Sequence, residues 1–189
     1  MKSMKRPRLL ERYKGEISDE MARLFGYKNK LQVPRLEKIV INVGMGEAAQ
    51  DVKLMDAAER ELAMITGQKP VVTRAKKAIA NFKIRKGSLV GCKVTLRKAM
   101  MYEFLDRMIS VAIPRIRDFR GLSPESFDKS GNYAFGMDEQ VVFPEVDVDK
   151  VVKPFGMDII IVISAKSKKE AFELLRLMGM PFAKSKETK

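Results

Sequence analysis

Along residues 90–97 the side chains alternate without a break: Val90, Cys92, Val94 and Leu96 on one side, Gly91, Lys93, Thr95 and Arg97 on the other. A period of two is the pleat of a β-strand. A strand that is apolar on one face and polar and cationic on the other fits a sheet packed on one side and open on the other. Helices must then cover the apolar side, and the chain supplies them. Leu10, Tyr13, Ile17, Met21 and Leu24 recur at three- and four-residue spacing and predict a helix over about 8–25, ended by Gly26. Ala48, Val52, Met55, Ala58, Leu62 and Ile65 predict a second over 48–65, closed by Gly67. Met100, Met101, Phe104, Leu105, Met108, Ile109 and Ala112 predict a third over 99–113, ending or kinking at Pro114. Ser167-Lys-Lys-Glu170 has the form of a capping box and starts a last helix through Met178.

Strands are expected at 38–43, where Ile39, Ile41 and Val43 oppose Asn42, and at 70–73. A basic hairpin is expected over about 74–97, with arms near 80–86 and 89–97 about a turn at Lys86-Gly87-Ser88. Gln140 to Phe143 reads as a short strand, and Asp158 to Ser164, apolar on both faces, as a buried one. Residues 114–136 read as a long extended arm, and 183–189 as a polar tail. With no repeat and no linker, residues 1–189 are expected to form a single two-layer α+β domain. Its largely antiparallel sheet would carry helices on one face and leave an open polar and cationic face on the other.

Charge narrows the partner. The chain holds 37 Lys and Arg against 24 Asp and Glu, a net +13, and the excess is concentrated. Residues 69–98 contain ten basic side chains and no acidic one, and no acid occurs between Glu61 and Glu103. A solvated helical face would interleave acids with its lysines, so a one-sign block of this length points to a polyanion. Lys69, Arg74, Lys76, Lys77, Lys83, Arg85 and Lys86 form its core with Asn81, and Phe82 lies among them as either a core side chain or a base-stacking one.

The same inventory excludes much chemistry. There is no histidine, which removes imidazole-based triads and histidine metal sites, and the single Cys92 allows neither an intramolecular disulfide nor a multi-cysteine zinc site. No catalytic residue, metal or cofactor is expected, and the chain is not read as an enzyme. Cys92, alternating with core positions, is expected to be a buried thiol. The strongest competing motif is Gly44-Met-Gly-Glu-Ala-Ala49, which fits a dinucleotide fingerprint and with Arg74 would suggest an NADP-binding enzyme. Glu47 would set a carboxylate where pyrophosphate should sit, and no acidic residue ends the following strand to hold a ribose. The aliphatic run Ile159 to Ile163 is too short to span a membrane, and Glu11, Glu16, Asp19 and Glu20 oppose a presequence. The reading is therefore a cytosolic protein without a membrane partner.

Several ordered blocks carry a family resemblance: Lys38-Ile-Val-Ile-Asn-Val-Gly-Met-Gly-Glu47, Thr66-Gly-Gln-Lys-Pro70, Thr73-Arg-Ala-Lys-Lys77, Pro114-Arg-Ile-Arg-Asp-Phe-Arg-Gly-Leu122, Gly131-Asn-Tyr133, Phe143-Pro-Glu145 and Gly156-Met-Asp-Ile159. From about residue 5 to Phe182 the chain resembles the family of large ribosomal subunit protein five. The resemblance implies a structural ribosomal protein that binds 5S rRNA and joins it to 23S rRNA in the central protuberance. It also implies contacts toward P-site tRNA and a small-subunit head protein. In that family the open sheet face meets 5S rRNA, which matches Asn42, Lys93, Thr95 and Arg97 here, with Lys69 beside them; the resemblance adds Gln68. It directs the segment Arg74 to Lys86 toward tRNA, and the arm with Arg115, Arg117 and Arg120 toward 23S rRNA and the subunit bridge. Lys184 to Lys189 extend past the expected family end and receive no role.

Overall fold

A computed structural model describes residues 6–49 and 51–183. Five strands form one largely antiparallel sheet: β1 (Leu36–Gly44), β2 (Val71–Arg74), β3 (Leu89–Leu96), β4 (Tyr133–Met137) and β5 (Met157–Ile163), in the order β2-β3-β1-β5-β4. Four helices accompany it. Helix α1 begins as an α-helix (Arg8–Arg12), passes through a π-helical turn (Tyr13–Ile17) and resumes over Ser18–Phe25. Helix α2 is Val52–Thr66, α3 is Lys98–Arg107 continuing as a π-helical turn (Met108–Ala112), and α4 is Lys168–Leu177. The chain divides into two compact units, one of residues 6–39, 97–135 and 160–183, the other of 40–49, 51–96 and 136–159.

In the second unit α2 is held at both ends. The Asp51 carboxylate accepts from Lys53 N at 2.9 Å, and Gly67 closes the helix with φ +67. Its buried stripe of Met55, Ala58, Leu62 and Ile65 packs on β3, whose Cys92, Val94 and Leu96 are buried on the same side as the strand alternation requires. Val52 does not join that stripe. It is exposed, because the helix starts there, behind the Asp51 cap, and Ala48 and Ala49 belong to a 3-10 turn (Gly46–Ala49) instead of the expected helix. A buried polar node ties this unit together. Gln140, with no exposed surface, donates from Nε2 to Glu61 Oε2 at 2.9 Å and to Lys153 O at 3.2 Å, and its Oε1 accepts from Phe155 N at 2.9 Å. Gln140–Val142 is consequently a 3-10 turn, and the strand expected at 140–143 is absent, since that side chain turns inward to meet three partners.

In the first unit α1 buries Leu9, Ile17 and Met21, packs beside α3, and is pinned by Arg8 to Asp106 with bonds of 2.6 and 3.1 Å. On α3, Met101, Tyr102, Phe104, Leu105 and Met108 are buried, whereas Met100 is exposed; Tyr102 takes the inward place. Phe127, Tyr133, Phe172 and Phe182 form an aromatic cluster with centroids 4.6 to 6.2 Å apart between ring neighbours. That cluster draws part of the expected arm into the fold: Leu122 N donates to Pro181 O and Ala183 N to Leu122 O, both at 2.9 Å. The arm also contains β4, which the glycine breakers concealed. Ser167 Oγ caps α4 by accepting from Glu170 N at 3.3 Å, while the Glu170 carboxylate reaches Lys166 N at 2.9 Å.

Two further expectations change. Strand β5 is not buried on both faces: Ile159, Ile161 and Ile163 are buried but Ile160 and Val162 are half-buried, so its second face belongs to the open side. The partner of β3 in the hairpin is β2, not a strand at 80–86. Val71 pairs with Lys93, Val72 with Cys92 and Thr73 with Gly91, antiparallel.

Candidate nucleic-acid interface

The open face in the second unit follows from that register. Val72 and Cys92 face α2, so their neighbours Val71, Thr73, Gly91, Lys93 and Thr95 face away, as does half-buried Asn42 on β1, whose flanking Ile41 and Val43 are buried. Lys93 is exposed and Thr95 half-buried. Gln68 reaches the same face from the end of α2, its Nε2 donating to Thr95 O at 3.4 Å. The turn that carries it is fixed by Thr66, whose Oγ donates to Leu62 O at 2.7 Å and accepts from Gln68 N at 3.4 Å. Asn42, Gln68, Lys93 and Thr95 therefore form a surface of amides, a hydroxyl and one cation without an ion-pair partner among the described residues. Lys69 is exposed beside it and lies 3.9 Å from Glu59, a long surface pair worth little. Arg97 is exposed where the chain enters the first unit, directly before α3.

Gly91 makes this surface possible. A Cβ at that position would lie 2.2 Å from the carbonyl oxygen of Val43 and 3.3 Å from Thr73 Oγ1. Only a residue without a side chain lets β3 approach β1 this closely. Thr73 and Gly91 belong to the face that sequence reasoning assigned to Asn42, Lys93 and Thr95. The signal for Thr73 lay in the strand register, which the sequence alone did not supply.

Between β2 and β3 the chain leaves the sheet as a cationic finger. Its neck is closed by Ala75 N donating to Ser88 O and Gly87 N to Ala75 O, both at 2.9 Å. Beyond it, Ile79 and Ile84 bond through N–H to O contacts of 2.9 and 3.2 Å around a 3-10 turn (Ala80–Phe82). Arg74, Lys76, Lys77, Asn81, Lys83, Arg85 and Lys86 are all exposed. Among the described residues none of these six cations has an acidic partner at ion-pair distance; Arg74 instead donates to Gly87 O at 3.2 Å. Phe82 is 68% exposed, so it is not a core side chain. In the first unit Arg115, Arg117 and Arg120 are exposed on the segment after α3, where Asp118 and Gly121 adopt φ of +51 and +98.

The competing glycine motif has no phosphate cradle. Gly46–Ala49 is a 3-10 turn and α2 begins later, at Val52; Met45 N is occupied by Val90 O at 2.8 Å, and the Glu47 carboxylate pairs with Lys153. Burial pushes the Cys92 thiol up to about 11, a protonated core group and not a nucleophile. Among the described residues no group of His, Cys, Asp or Glu could hold a metal ion, and no helix is long and apolar enough to cross a membrane.

Comparison with known proteins decides among polyanion binders. Residues 29–85 match ribosomal protein L5, and residues 89–182 match the C-terminus of the same ribosomal protein family. The chain belongs to the ribosomal L5 family. It is 59% identical over 177 residues to a protein of Caldanaerobacter subterraneus subsp. tengcongensis named large ribosomal subunit protein uL5, covering 94% of this chain and 99% of that one. Proteins of the same name from Clostridium botulinum and Carboxydothermus hydrogenoformans are 58% and 55% identical over 178 residues, with the same coverage. Membership of the L5 family makes the chain a structural ribosomal protein and not an enzyme, so the NADP-binding alternative is set aside.

Proposed function

We propose that the chain is a structural component of the large ribosomal subunit that binds 5S rRNA through the open face of the second unit. Asn42, Gln68 and Thr95 offer donors and acceptors suited to ribose hydroxyls and base edges, while Lys69, Lys93 and Arg97 supply charge to phosphates. The finger from Arg74 to Lys86 is directed at P-site tRNA, and Arg115, Arg117 and Arg120 meet 23S rRNA and the bridge to a small-subunit head protein. The ribosome in the cytoplasm is its place of work. No bound cofactor is part of the reading. The observation that carries it is the run of exposed cations on the finger and sheet without acidic partners, a surface whose charge nothing in the described fold neutralises.

Salt dependence tests the phosphate contacts. The logarithm of 5S rRNA affinity should fall against the logarithm of salt with slope of about −0.7 to −0.9 per phosphate contacted. Lys93→Ala should flatten it by about one such step, and Lys69→Ala, already paired with Glu59, by less. A slope near zero, or one indifferent to Lys93, refutes the phosphate contacts. The Asn42→Ala, Thr95→Ala double variant should weaken binding without changing that slope; unchanged affinity refutes the assignment of the face.

A further inference from the structure

The first unit contains a groove of about 710 Å³ between the end of α1, residues 124–127 and the start of α4. This lies within the roughly 300–1,000 Å³ range of clefts that bury the apolar groups of a ligand. Leu24, Phe25, Phe127 and Phe172 line it. Leu24 belongs to the apolar stripe of α1 yet is 55% exposed, so this end of the stripe has no partner in the fold.

The rim is charged unevenly. Glu173 is taken by Arg176, at 2.7 Å, and Glu125 stands across the groove from Lys168 and Lys169. Those two lysines are exposed, and among the described residues neither has an ion-pair partner. Lys168 contributes, as the last of several influences, to holding the Asp128 carboxyl low. Both are the opening residues of α4, where the positive end of the helix dipole disfavours cations. A local rule broken twice at the mouth of an apolar groove points to function. The complement is an apolar side chain with a carboxylate beside it.

A nucleotide fits less well. No amide or hydroxyl side chain lines the groove to read a base edge, and a phosphate would face Glu125 as well as the lysines. We propose that this groove docks a segment of a protein partner, one that inserts large apolar side chains against Phe25, Phe127 and Phe172 and sets an Asp or Glu, within about one helical turn, against Lys168 and Lys169. The inference is independent of the 5S rRNA face, whose residues it does not use.

Photocrosslinking in assembled large subunits tests it. With p-benzoylphenylalanine in place of Leu24 of the full chain, irradiation should join the groove to one ribosomal protein. The joined peptide should carry an apolar residue with an acid within four positions. Adding Lys168→Glu and Lys169→Glu should lower the yield at least fivefold while 5S rRNA affinity and melting temperature hold. If that pair lowers the melting temperature, Lys168→Gln with Lys169→Gln should still halve the yield. A crosslink to rRNA, to a second copy of the chain or to a peptide without a nearby carboxylate overturns the proposal. So does the lack of any protein product, or a yield unmoved by the lysine changes.

Discussion

Replacing Gly91 with alanine asks whether the open face depends on the approach of two strands. Its Cβ would meet the Val43 carbonyl oxygen at 2.2 Å, about 1 Å inside ordinary contact, and that oxygen is backbone, so no rotamer change relieves the clash. Strand β3 must retreat from β1, straining the neighbouring bond from Met45 N to Val90 O. Overpacking in a well-packed site costs about 1–3 kcal/mol, and a weakened hydrogen bond adds about 1 kcal/mol. Against this, the lost freedom of the unfolded chain returns about 0.4–1 kcal/mol. The expected net loss is about 1–3.5 kcal/mol, measured as a lower urea midpoint at constant m-value. The same retreat moves Lys93 and Thr95 relative to Asn42, so 5S rRNA affinity should fall with it. Gly136→Ala serves as the control, since its Cβ would find only Asp158 Oδ1, at 3.9 Å, and should change stability little. A Gly91→Ala protein within about 0.5 kcal/mol of its parent, binding RNA equally well, would refute the reasoning, because surface changes away from such features fall in that range.

Gln140→Leu should destabilise by about 2–4 kcal/mol in the same assay, since it strips partners from Phe155 N, Lys153 O and the buried Glu61 carboxylate at once. Cys92, with its thiol pushed up to about 11 by burial, should resist an aromatic disulfide reagent at pH 8 and react at the rate of unfolding, so fast labelling of native protein would contradict the core placement. Asp128 is held below the usual carboxylate range chiefly by the Asn132 side chain, so the native state binds fewer protons than the unfolded chain there. Its stabilisation is complete above the ordinary value of about 3.9 and is lost as pH falls through the native value; Asp128→Asn should flatten acid-side melting curves, and identical curves would discount the contact. Replacing Arg74, Lys76, Lys77, Lys83, Arg85 and Lys86 with glutamine should leave the melting temperature and most 5S rRNA binding intact while loosening P-site tRNA in assembled ribosomes; outright loss of 5S rRNA binding by the folded protein would end that division of labour.

The one-sided sheet was legible because alternation in β3 needs no knowledge of its partner. Which strand it pairs with was not. Ile79, Phe82 and Ile84 look like strand residues to any periodicity count, yet Ile79 and Phe82 are exposed. Val71 and Val72, expected as a strand at 70–73 but not as the partner of β3, make the actual arm. In β4, Tyr133, Phe135 and Met137 alternate as a strand should, but Gly131 and Gly136 masked them as breakers. Gln140 gave no sign at all: a polar residue at full burial is specified by Glu61, Lys153 and Phe155, which lie far from it in sequence. On the candidate interface, Asn42, Lys93 and Thr95 were readable from their neighbours, Gln68 came only through family resemblance, and Thr73 needed the register.

The finger between β2 and β3 hangs from a neck of two backbone bonds at Ala75, and its cations are all exposed. Its length is therefore nearly free: doubling such a loop costs about 0.6 kcal/mol of closure entropy, and the sheet below does not register the change. Cationic reach and structural integrity can then vary separately, so one framework can carry fingers of different length and charge. For the experimenter, the stretch between the neck and the Ile79–Ile84 bridge is a natural place to graft a fluorophore or an affinity peptide that reports on the cationic tip while leaving the open face below it as it was.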